Sequence, residues 1–193
     1  PRIGGFRKKQ TYLVLLQNSM ELRPTGGFIG SLLLVSFADG RVETLDVQDV
    51  YSADGQLKGH VDPPIAIREI LGNEHWYLRD SNWDPNFSES GAKAAWFYEK
   101  EMGVSVDGVI GISLPMVTKL LTVTGPLELL DFNERISAGN FFAKSLLYTQ
   151  TDFFPGSCIS GLIPHPAERL AYGIGCFTAE HKIKPIRGMF FLV

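Results

Sequence analysis

The chain has 193 residues, 45% hydrophobic and 20% charged, with a formal net charge of -3 and two cysteines. That length suits one ordinary domain, and that composition excludes disorder as the main state. The charge leaves no whole-chain basic footprint for nucleic acid, and two cysteines exclude a disulfide-dense miniature scaffold.

Residues 1–10 carry Arg2, Arg7, Lys8 and Lys9 and read as a solvated basic leader. Tyr12 to Gln17 is an apolar run of strand length, suited to the interior of a covered sheet. A polar turn follows, and Phe28 to Phe37 is a second apolar strand. Asp39-Gly40 predicts a tight hairpin turn, and Val42 to Val47 the return strand. Residues 50–62 read as a polar loop. Pro63-Pro64 and Gly72 bracket a helix over Ile65 to Leu71. Trp76-Tyr77-Leu78 reads as a short strand. Ser88 is the expected N-cap of a helix of about 14 residues closed by Gly103, with Ala92, Ala95, Trp96, Phe97 and Met102 on its core face. Val106 to Ile112 is a strand, Leu114 to Leu121 a helix, Leu127 to Leu130 a strand, and Ala138 to Gln150 a last helix. Strands alternating with helices predict an α/β sandwich with a mixed sheet. The tail, residues 158–193, holds both cysteines among prolines and glycines, keeps no period, and is expected either to be poorly ordered or to add little to the core.

Two clusters carry candidate chemistry. Arg23 beside Thr25-Gly26-Gly27, with Glu21 upstream, suits an anion site, because glycines let backbone N–H groups approach and guanidinium pairs with phosphate. The same residues also suit a tight turn with a structural ion pair from Arg23 to Glu21 or another carboxylate. Arg79-Asp80-Ser81-Asn82-Trp83-Asp84 sits on a loop of the kind that binds ligands at the edge of an α/β sheet. Asp80 and Asp84 suit a hard cation such as Mg2+, or equally Asx turns and helix capping. Histidines 60, 75, 165 and 181 show no metal-ligand spacing, and no serine has a nucleophile-elbow context.

Tyr12 to Asn18, Glu21 to Gly30, Arg79 to Trp83, Val106 to Ile110 and Thr124-Gly-Pro126 together resemble, in order, the bacterial domain-of-unknown-function family 4012. The resemblance covers about residues 10–157, and with the leader set aside it implies one domain over residues 11–157. It implies an extracytoplasmic envelope protein with a membrane anchor upstream, in keeping with a chain that starts at Pro1. A more distant resemblance is to the LytR-CpsA-Psr family, which transfers glycopolymers from polyprenyl pyrophosphate using arginines and Mg2+. It implies a LytR-CpsA-Psr-like α/β/α sandwich. Ser31 to Tyr51 resembles that family's first hairpin, and only Asp49 of its Arg-Asp pair is present. No arginine stands near Tyr148 to Thr151, where that family is arginine-rich. The implied site has Arg23, Arg79 and Asp49 as catalytic groups, and Glu21, Thr25, Gly26, Gly27 and Asn82 against the ligand. Asp49, Asp80 and Asp84 would hold Mg2+. The ligand would be a pyrophosphate or lipid-linked glycan phosphate. If the domain catalyses, the reaction would be Mg2+-dependent glycopolymer phosphotransfer. The alternative is a non-catalytic envelope scaffold or interaction domain. Geometry separates them: a site needs Arg23, Asp49 and Arg79 in one cleft, whereas a scaffold holds both arginines in internal ion pairs.

Overall fold

The computed structural model describes residues 4–130 and 133–150. Its centre is a four-stranded mixed sheet in the order β3-β2-β1-β4. The strands are β1 (Gln10–Asn18), β2 (Phe28–Ala38), β3 (Arg41–Asp49) and β4 (Gly108–Ser113). β1 and β2 are antiparallel, β2 and β3 are antiparallel, and β4 runs parallel to β1. The helices are α1 (Val50–Asp54), α2 (Ile65–Leu71), α3 (Phe87–Met102), α4 (Leu114–Thr124) and α5 (Phe141–Gln150). A 3-10 helix spans Leu78–Trp83, and β5 (Leu127–Leu129) pairs with β6 (Glu134–Ile136). The α/β expectation with a mixed sheet therefore holds. The atypical tail lies outside the described residues.

The hairpin between β2 and β3 follows from its turn residues. Asp39 and Gly40 have φ of 50° and 74°, the paired positive values of a type I′ turn. Their N–H groups donate to the carbonyls of Gly5 and Gly4 at 3.1 and 2.7 Å. Lys8 pairs with Asp107 at 3.0 Å and Lys9 with Glu43 at 2.7 Å. The leader is thus tied to the sheet at several points.

β1 is buried at Leu13, Val14 and Leu15, consecutive residues that face opposite sides of the sheet. Leu13 and Leu15 join the core with Ile29, Leu32, Leu78 and Phe97. Ile29 and Leu32 are three apart, which strict alternation would place on opposite faces. The register shift between Leu16 and Gln17 skips Gly30, and this bulge returns both to the core. Fully burying a side chain of that size contributes about 1.5–3 kcal/mol.

The structure departs from the sequence reading at several elements: β6 was not expected, the last helix starts at Phe141 rather than Ala138, and three further cases show why. Residues 50–54 form α1, because Val50 and Ala53 reach the core. Trp76 and Tyr77 form no strand: the Trp76 N–H donates to the Val61 carbonyl at 2.9 Å and its indole N–H to the Asp80 carbonyl at 3.0 Å. α3 starts two residues early, with Asn86 as N-cap accepting from the Ser88 N–H at 3.0 Å. Its core face is Ala94, Phe97, Tyr98 and Glu101, while Ala92 and Trp96 are exposed. Ala94, Phe97 and Glu101 keep helical spacing, but that stripe is rotated from the one expected and takes in a glutamate.

Gly27 sits at φ 125°, and a Cβ there would lie 2.1 Å from the Asn18 carbonyl oxygen. No side-chain rotation relieves a clash with backbone. Gly27→Ala is expected to lower unfolding free energy by about 3 kcal/mol or more, read from the midpoint of chemical denaturation.

Candidate functional site

The connection from β1 to β2 is bonded to itself. The Phe28 N–H donates to the Glu21 carbonyl at 3.0 Å, and the Gly26 N–H to the Arg23 carbonyl at 3.2 Å. Thr25 Oγ1 accepts from Gln17 Nε2 at 3.2 Å. The Gly27 carbonyl accepts from Asn82 Nδ2 at 2.8 Å. The groups expected to face a ligand therefore close the turn and fasten it to the 3-10 helix.

Arg23 is turned inward with its side chain 8% exposed. Its Nη2 donates to Glu21 Oε1 at 3.0 Å and to Asp80 Oδ1 at 3.2 Å. Asp80 is 2% exposed, and its Oδ2 accepts from Asn73 Nδ2 at 3.2 Å. Arg79 Nε stands 3.6 Å from that same oxygen. Arg79 Nη1 donates to Asp54 Oδ2 at 2.7 Å. The Arg79 guanidinium lies 4.2 Å from the Tyr77 ring centroid and 5.2 Å from that of Tyr51. Charges thus alternate through Glu21, Arg23, Asp80, Arg79 and Asp54, joining the β1–β2 turn, the 3-10 helix and α1.

Four of these five groups were legible as candidates: Arg23 and Arg79 meet on Asp80, and Glu21 joins through Arg23. Asn82 lies beneath them, fully buried. Asp49 opens α1, at the opposite end from Asp54, and among the described residues makes no ion pair with either arginine. Burial pushes the Asp49 carboxyl up, against the nearby N–H groups of Ser52, Tyr51 and Val50. Asp84 is exposed and accepts from the Asn86 N–H at 2.7 Å, an Asx turn entering α3. Both Asp80 oxygens face protein donors. Among the described residues no three acidic, histidine or cysteine groups gather to hold a metal.

The sequence reading missed Asp54, Glu101 and the two tyrosines that flank Arg79. Glu101 is 7% exposed, and among the described residues its buried carboxyl has little beyond the Leu78 backbone N–H to answer it. Burial, reinforced by Asp54, pushes it up to about 8. Asp54 is pushed up to about 6 by burial, against the pull of Arg79. The available signal was positional: Glu101 follows Phe97 by four residues on the helix side that carries Ala94.

A carboxyl whose folded pKa lies above its unfolded value binds more protons when native, so stability falls as pH rises between the two. For Glu101 that interval runs from its ordinary 4.5 to about 8. A tenfold difference in proton affinity between the two states corresponds to about 1.4 kcal/mol. Glu101→Gln is expected to flatten this decline and to add on the order of 2 kcal/mol near the upper end, measured by denaturation across pH.

No curated protein and no solved structure matched the chain. A family model described as a protein of unknown function, DUF4012, matches residues 7–150. That span holds the whole sheet and every member of the ion-pair chain, and the protein belongs to the DUF4012 family.

Proposed function

We propose that this domain is a non-catalytic scaffold or interaction module of the bacterial envelope, placed outside the cytoplasm by an anchor upstream. One observation carries the reading: Arg23 and Arg79 are both held by internal carboxylates, meeting on Asp80. An anion arriving there would have to displace partners already in place, and the turn's Gly26 N–H and Gly27 carbonyl are already bonded within the protein. α4 supplies a surface for such a role, with Met116, Leu120 and Val123 at helical spacing and 43%, 45% and 75% exposed.

A second reading is an anion site for a pyrophosphate or lipid-linked glycan phosphate, as the LytR-CpsA-Psr likeness implies. It draws support from Arg79, whose side chain keeps 21% exposure and is braced by two aromatic rings. If catalytic, it would transfer a glycopolymer with the help of Mg2+, for which Asp49, Asp80 and Asp84 are the acidic groups the likeness implies. The LytR-CpsA-Psr-like sandwich belongs to this reading.

Titration with a soluble polyprenyl pyrophosphate analogue, with and without Mg2+, separates the two. The scaffold reading expects no binding by wild type. It also expects Arg23→Ala to lose about 3 kcal/mol of stability, because Asp80 is left with less compensation. Saturable binding by wild type that Arg79→Ala abolishes while remaining folded would install the anion site instead.

A further inference from the structure

Away from the arginines, His60 and His75 meet nitrogen to nitrogen. Their Nδ1 atoms are 2.9 Å apart, and the rings are edge to face with centroids at 4.7 Å. A contact this short needs one hydrogen between the two nitrogens. The other His60 nitrogen, Nε2, lies 3.2 Å from Asp62 Oδ1. A carboxylate accepts, so His60 carries its hydrogen on Nε2 and presents a bare Nδ1. His75 must then donate from Nδ1. Its own Nε2 is buried with no hydrogen-bond partner among the described residues.

The proton count makes the contact acid-sensitive. One added proton can go to His60 Nδ1 while His75 keeps its hydrogen there, which sets two N–H groups against each other. Otherwise the contact survives only with a hydrogen on His75 Nε2, a buried position without an acceptor. Both outcomes cost free energy, by repulsion or by an unsatisfied donor.

The contact joins two connections. Between these histidines the Trp76 N–H donates to the Val61 carbonyl at 2.9 Å, and both residues pack on the core. His75 stacks on Tyr77 with centroids 4.3 Å apart, and Tyr77 is the ring under Arg79. The charged groups facing the pair are Asp62, Arg68 at 3.6 Å from Asp62, and Arg79 beyond Tyr77.

We propose that His60 and His75 form an acid-released latch that holds the connection before α2 to the connection after it and, through Tyr77, steadies Arg79. The direction of titration agrees: burial, then His60 and Arg79, push His75 below its ordinary value of 6.5. A base with a lowered folded pKa binds fewer protons when native. The latch is therefore intact above its ordinary value and weakens as pH falls below it. This inference does not depend on whether the arginines meet a ligand.

Amide hydrogen exchange on the whole chain tests it, at about pH 7.5 and about pH 5, corrected for intrinsic rates. The wild type is expected to lose about tenfold protection at residues 60–63 and 74–78 on acidification, with β1 and β2 unchanged. His75→Phe keeps a ring on Tyr77 and removes the titration, and its exchange there is expected to be independent of pH. It also controls for Asp54, which titrates in the same range. Nitrogen-15 shifts of the imidazoles at the higher pH are expected to place hydrogen on His60 Nε2 and His75 Nδ1. Equal wild-type protection at both pH values, a pH response retained by His75→Phe, or hydrogen on His75 Nε2 would each overturn the latch.

Discussion

The arrangement around the sheet's edge depends on one buried carboxylate. Asp80 takes Arg23 on one oxygen and Asn73 on the other, with Arg79 beside the second. Bringing such charges out of water costs several kcal/mol for each ion, and their mutual attraction roughly offsets this. Compared with a well-packed apolar cluster, the group therefore adds little net stability. Its role is positional: through these pairs the β1–β2 turn, the 3-10 helix and α1 are tied to one another. Removing a single member is far more damaging than the net worth of the pair, because the remaining charge stays buried.

Local chemistry was readable wherever a residue's backbone preference decided the outcome. Asp39-Gly40 announced its hairpin, and Pro64 and Gly72 bracketed α2 where expected. Arg23 and Arg79 were read, with Asp49, as members of one cleft; the two arginines do meet on Asp80, and the internal pairing of Arg23 with Glu21 was among the readings. Partner choice across the chain was not readable. Arg23 meets Asp80 over 57 residues and Arg79 meets Asp54 over 25, and nothing in local periodicity encodes those pairings. α1 hid because five residues give too little pattern for a helix, and tertiary burial of Val50 and Ala53 decides it. The bulge at Gly30 likewise breaks alternation, so a period count in β2 misassigns a face.

Burial acts on the titratable groups in opposite senses. It makes Glu101 and Asp54 hold their protons and makes His75 refuse one. The carboxyls favour the native state on the acid side and the imidazole favours it on the alkaline side. All three lie on the same flank of the sheet, near Arg79, which appears among the influences on each. Asp54 also acts on Glu101, and His60 on His75, so none of the three titrates alone.

Among the described residues β3 is the last strand on one side of the sheet, with no further strand beside it. Its nine residues include Arg41, Glu43, Asp46 and Asp49, and from Glu43 to Asp46 all four residues are exposed. A second chain adding a strand there would have to strip water from those charges and set them against its own. Edge charges of this kind deter open-ended strand addition. Charge on this strand thus works against register-free pairing with a second copy, whatever its side chains do for the fold.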